Sequence, residues 1–216
     1  MFIGHYAIAL GAKKIVPTAS LGTLFLAAQF VDLLWPIFLI FGLEHVRIDP
    51  GNTVVTPLDF YDYPITHSFL GSLSWAIGLG IVYWIIQRNF RTACVIAGIV
   101  LSHWILDAIV HRPDLPILPG TDVMVGFGLW NSLPGTIVIE LGLFITGTMI
   151  YLRTTKNKSL IGRYALGCLI ATLGLIWLGN IFGPPPPSET AIGFAGLGLW
   201  LFVCWGYWVD RHRYTI

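Results

Sequence analysis

Apolar residues run through the chain in long windows separated by short polar segments. Six windows of about 18 or more mostly apolar residues occur, at about 18–43, 68–86, 92–110, 132–152, 164–182 and 191–209. Each is long enough for a helix across a hydrocarbon core about 30 Å thick. A seventh apolar stretch, 2–12, is too short to cross, since 11 residues of helix reach only about 16 Å. Its charges, Lys13 and Lys14, follow the apolar run, the reverse of a cleavable signal peptide. The stretch therefore reads as a short helix tucked against the bundle, or as a re-entrant one. Nothing alternates like a barrel strand. The pattern predicts an all-α polytopic bundle of about six transmembrane helices plus a short N-terminal apolar helix, in one domain over 1–216.

Local signals refine the boundaries. Thr66, after Asp62-Tyr63-Pro64-Ile65, is placed to cap the second span. Asn131-Ser132-Leu133-Pro134 reads as a cap with proline in the first turn of the fourth. Pro36 is expected to kink the first. Pro184 to Pro187 form a stiff extended connector. Trp84, Trp130, Trp205 and Trp208 sit near span ends, as an aromatic belt requires.

Composition narrows the class further. With 56% apolar and 11% charged residues, the chain is neither disordered nor an ordinary soluble domain. The net charge of +1 offers no basic excess for nucleic acid. The three cysteines, Cys94, Cys168 and Cys204, lack paired spacing and read as small apolar fillers in the spans. Basic residues divide unevenly: Lys13, Lys14, Arg88, Arg91, Arg153, Lys156, Lys158, Arg163, Arg211 and Arg213 fall on one side. Only Arg47 and Arg112 fall on the other, with outer loops 44–67, 111–131 and 183–190. By the positive-inside rule the first set is cytoplasmic, in a bacterial inner membrane with cytoplasmic N- and C-terminal flanks.

Ionisable groups inside a bilayer cost several kcal/mol and are functional candidates. The spans hold Asp32, His103, Asp107 and Glu140. His5 lies in the short N-terminal stretch, His67 at the mouth of the second span and His111 at the end of the third. At about 1.5 Å per residue, Asp107 lies about 5 Å, His103 about 11 Å, Glu140 about 12 Å and Asp32 about 16 Å below the outer ends of their spans. His5 comes to about 18 Å below the outer face if 2–12 enters from the cytoplasmic side. The groups converge on the outer half of the bilayer. His103 and Asp107, four apart, share a helix face, and His111 extends it. A His and a carboxylate at this spacing can both reach one cation. Zinc suits the donors, with manganese or iron as alternatives. His45 and His212 lie in polar flanks and read as solvated.

The order of these motifs is familiar. Gly4-His5-Tyr6 comes first, then Val31-Asp32-Leu33, then Thr66-His67-Ser68, then Ser102-His103-Trp104-Ile105-Leu106-Asp107. The series resembles the bacterial inner-membrane metal-dependent hydrolases, the LexA-regulated membrane-bound hydrolase family, which is distantly similar to zinc-dependent phospholipases C. The resemblance covers about residues 1–115, the metal-site half, with 116–216 as additional transmembrane helices. It implies a divalent metal, zinc foremost, held by His5, Asp32, His67, His103 and Asp107. The family often has Pro-Asp with a second acid where Asp32 stands alone, and His-Arg-Gly where this chain has Asp62-Tyr63-Pro64, so a single metal is implied.

Three functions compete. In a metal-dependent hydrolase, Glu140 or His111 serves as general acid or base, on a phosphoester, a lipid head group or another small molecule in contact with membrane lipid. In a transporter, the same residues line an ion or proton path. In a structural or assembly protein they only join helices. A bis-histidine haem site fits poorly, because the one strong spacing pairs His with a carboxylate.

Overall fold

The first helix, α1 (Ile3–Ala12), is buried on nearly every side, as a helix apolar all round should be. It is followed by α2 (Leu21–Ala28) and α3 (Phe30–Ile40), two apolar helices that meet at 56°. A hairpin, β1 (His45–Ile48) and β2 (Leu58–Asp62), and the single turn α4 (Pro64–His67) lead to α5 (Phe69–Gln87) and α6 (Phe90–Val110). A second small hairpin, β3 (Leu115–Pro116) and β4 (Met124–Val125), precedes α7 (Leu133–Thr154). Strand β5 (Thr155–Asn157), α8 (Leu160–Phe182), α9 (Glu189–Gly196), α10 (Leu199–Arg211) and β6 (Arg213–Thr215) complete the chain. This computed structural model describes all of residues 1–216.

The protein is an all-α multi-pass membrane bundle. Five helical stretches are long and apolar enough to cross a bilayer, α9 and α10 counting as one, and the bent pair α2–α3 makes a sixth. The windows read from the sequence match these spans. The bend in the first does not fall where proline predicted it. Pro36 lies inside an unbroken α3, while the helix breaks at Gln29, seven residues earlier. The loops 44–67 and 111–131 are not irregular either, since each holds a two-stranded antiparallel hairpin. Arg47 grips Asp59 across the first, and Arg112 reaches the same carboxylate from the second.

Capping differs in one place. Ser132 accepts from Gly135 N at 3.2 Å, as expected. The cap of α5 is Ser68, not Thr66: its Oγ accepts from Gly71 N at 2.9 Å. Ser68 is the extended residue at the junction, whereas Thr66 lies within the preceding turn and its hydroxyl is engaged elsewhere. The prolines 184–187 form a connector without helix or strand. Trp84 and Trp208 are exposed near span ends, but Trp130 packs at a tilt against His111 and Trp205 donates to Ala165 O at 3.1 Å. The cysteines lie in spans but face outward, so they fill no core gap. His45 is partly shielded by pairing with Asp62.

Helix α1 packs among α2, α6 and α7 at the centre of the bundle. Close approach to α7 depends on Gly147, where a Cβ would fall 2.3 Å from Ala7 O. The far end of α1 is tied down by Lys13. Its Nζ donates to Asp210 Oδ2 at 2.5 Å and to Ala19 O at 2.7 Å. Asp210 also accepts from Leu21 N at 2.8 Å and Tyr151 OH at 2.9 Å. Beside it β5 pairs with β6, and the Arg213 guanidinium is spent on Thr155, Asn157 and Gly162. The basic segments thus gather at the end of the bundle opposite the β1–β2 hairpin.

Candidate metal centre

Four helices bring five side chains from distant parts of the chain to one buried point. His5 comes from the first turn of α1, Asp32 from the first turn of α3, His67 from the end of α4, and His103 with Asp107 from successive turns of α6. The ligand atoms of His5, His103 and Asp107 lie within 4.8 Å of one another, as do those of Asp32, His67 and His103. His103 belongs to both sets. Its Nε2 is 3.0 Å from Asp107 Oδ2 and 3.5 Å from Asp32 Oδ1. His67 Nε2 is 3.2 Å from Asp32 Oδ1 and 4.0 Å from Asp107 Oδ2. His5 Nε2 is 3.1 Å from Asp107 Oδ1, and the His5 and His103 rings stack at 3.6 Å. The amino group of Met1 lies 2.6 Å from the same Asp107 oxygen. Of the five side chains only Asp32 is appreciably open, at 24%.

The outer nitrogens of two of the rings are committed. His103 Nδ1 lies 2.7 Å from Ala28 O. A carbonyl only accepts, so Nδ1 carries the proton. Ala28 is the last residue of α2, where a helix leaves its carbonyls without intrahelical partners. The break at Gln29 is therefore what frees the acceptor that orients His103. In the neutral ring, Nε2 is then a bare lone pair. It faces two carboxylates and, with no proton, makes no hydrogen bond with either.

His67 is held by a longer chain. Glu44, fully buried, accepts from Ile65 N at 2.7 Å, Thr66 N at 2.8 Å and Thr66 Oγ1 at 2.6 Å. The threonine hydroxyl has one proton, and the carboxylate takes it. Its oxygen must then accept from His67 Nδ1, 2.7 Å away. In the neutral ring His67 Nε2, 3.2 Å from Asp32 Oδ1, then has no proton to donate and presents its lone pair inward. Buried lone pairs against carboxylates are unfavourable alone and are what a divalent cation requires. The donor set of three imidazoles and two carboxylates suits zinc, manganese or iron.

Glu140 and His111 stand apart from these ligand sets. Glu140 Oε2 accepts from Phe2 N at 3.1 Å and so anchors the start of α1. His111 Nδ1 is 3.0 Å from Asp114 Oδ1 and 3.3 Å from the Tyr63 hydroxyl. Burial holds its imidazole below the usual histidine range against the opposing pull of Asp114, and burial together with Asp114 pushes the Tyr63 phenol up. Over the cluster, Trp35, Phe60, Tyr63 and Trp130 form an aromatic roof with the His67 and His111 rings. Glu44, one acid in the outer loop 44–67, and the roof have no signature in the sequence. The adjacency of Thr66 to His67 was the one available signal for a supported histidine.

The chain matches no family model, no curated protein and no solved structure.

Proposed function

We propose that this protein is a membrane-embedded metal-dependent hydrolase, with a divalent ion, zinc foremost, held by His5, Asp32, His67, His103 and Asp107. One observation carries the assignment: the buried Nε2 of His103 lies between two carboxylates with no hydrogen bond to either, while its Nδ1 proton is spent on Ala28 O. A divalent ion supplies Lewis acidity and brings the pKa of a water towards neutrality. The residues do the rest. His103 and His67 arrive with their inner nitrogens deprotonated. Asp107, closed off from solvent, compensates charge. Asp32, the open carboxylate, completes the ligand set on the side that water reaches. The aromatic roof keeps bulk water from the buried side.

The substrate class is a phosphoester or lipid head group, consistent with a site inside a membrane. The motif series resembles that of membrane-bound metal-dependent hydrolases, and in this proposal the protein lies in a bacterial inner membrane with the Lys13 end cytoplasmic. An ion carrier is disfavoured, because the apolar core, including Leu10, Phe25 and Ile96, fills the bundle between the cluster and the Lys13–Asp210 pair. The test is metal content of the detergent-purified protein by inductively coupled plasma mass spectrometry, beside turnover of p-nitrophenyl phosphoesters. About one zinc, manganese or iron per chain, with turnover lost on chelation, is expected. A metal-free protein that takes up none on reconstitution, or ion flux across proteoliposomes without turnover, would overturn the proposal.

A further inference from the structure

The bundle has an apolar groove with a floor and two walls. Helix α1 is the floor, and α6 and α7 are the walls. The cavity is about 490 Å³. Its position relative to the cluster follows from helix geometry. Ile8 lies three residues beyond His5 on α1, Ile99 four before His103 on α6, and Leu143 three beyond Glu140 on α7. Each wall therefore begins one turn from a polar residue at or beside the cluster and continues towards the Lys13 end. Eight residues, Leu143 to Ile150, carry the α7 wall over about 10 Å, two-thirds of a leaflet. Met1 marks the boundary: with Leu106 and Val110 it forms a small apolar cluster against which Ile8 and Leu143 pack at the upper end, and its amino group meets Asp107.

Two glycines keep the groove open. A Cβ on Gly98 would meet nothing within 4 Å, and one on Gly11 only Ile150 Cδ1 at 3.8 Å. Neither glycine has positive φ, so neither is needed for backbone conformation. Gly147, on the same lining, is required for helix contact, and the contrast separates packing glycines from groove glycines. The medium beside these walls is hydrocarbon, since α6 and α7 are membrane spans. A cleft of this composition is filled there by a chain rather than by water.

We propose that the groove holds the hydrocarbon chain of a lipid phosphoester whose head group lies at the His/Asp cluster. This deepens the hydrolase proposal and rests on it for the position of the head group. Remote binding of the chain would fix the ester against the cluster, so long-chain substrates gain in kcat as well as in KM.

The test uses the full chain in phosphatidylcholine nanodiscs. Two photoactivatable lipids carry a diazirine in the acyl chain, one a phosphatidic acid and the other a phosphatidylcholine. Labelled positions are mapped by peptide mass spectrometry. The expected result is that phosphatidic acid labels the groove residues of α1, α6 and α7 above the outward faces at Ile85 and Leu175. Gly11→Phe and Gly98→Phe, which fill the groove from open positions, reduce that labelling to the level of the outward faces, with metal content unchanged. His103→Ala removes the preference for phosphatidic acid over phosphatidylcholine. Labelling spread evenly over all exposed faces would overturn the proposal. So would groove labelling equal for both head groups and indifferent to His103→Ala. If no metal is found but the phosphatidic acid preference and its dependence on His103 hold, the hydrolase proposal fails and the lipid site stands.

Discussion

Two buried polar networks sit at opposite ends of α1, and they are built on opposite principles. At the Lys13 end, donors and acceptors match. Asp210 takes up Lys13, Tyr151 and Leu21 N, and the Arg213 guanidinium is distributed over one strand and the start of a helix. At the His5 end, acceptors outnumber donors. Lone pairs of His103 and His67 face Asp32 and Asp107, and the buried His5 Nδ1 and His103 Nε2 have no hydrogen-bond partner. A satisfied network rigidifies a fold, whereas an unsatisfied one has to be explained by something outside the chain's own stability. Burial and charge alone would not have separated these two sites. Counting protons at each nitrogen does.

The contrast can be broken in four ways, beginning with the largest effect. His103→Ala and Asp107→Ala should each reduce metal from about one per chain to background, measured by elemental analysis on protein that elutes as wild type. Asp210→Ala should do the reverse. It strands Lys13 in a buried site, costs about 3–5 kcal/mol of stability by denaturant titration, and leaves metal per folded chain unchanged. If Asp210→Ala loses metal in proportion to stability, the two networks are one unit and the distinction is wrong.

Glu44→Gln tests the support behind His67. The amide would donate to Thr66 Oγ1, turn the hydroxyl proton towards His67 Nδ1 and move the ring proton to Nε2. A 10- to 100-fold loss of metal affinity is expected, by competition with a chromogenic chelator, with the unfolding midpoint of the chelated protein little changed. The smallest effect concerns His111. Burial lowers its folded-state pKa, so below about pH 6.5 the unfolded chain binds the extra proton and the folded chain does not. Stability of chelated protein should therefore fall as pH drops through that value, and His111→Gln should flatten the fall.

The spans were legible because hydrocarbon imposes length and apolarity on each helix separately. The five clustered side chains were legible because ionisable groups are rare there and their helical depths agreed. What the sequence hid was set by tertiary context. Pro36 is tolerated because the bend was made earlier, at Gln29, where the freed carbonyl of Ala28 serves His103. Glu44 looked like any loop acid, since the turn that folds it onto Thr66 is not written in its neighbours. Glu140 shares the depth of the cluster and His111 extends its helix face, but they bond to Phe2 N and Asp114. Depth alone does not separate a residue in a cluster from one beside it.

The anchor at Lys13 also sets an order of assembly. Its partner lies 197 residues downstream. While the chain is being made, α1 is too short to cross and Lys13 has no carboxylate to meet until the last span has entered the membrane. The Lys13 end of the helix that carries His5 is therefore locked last, although it is synthesised first. A ribosome stalled before Asp210 would leave a nearly complete bundle whose central helix is fastened at its His5 end alone.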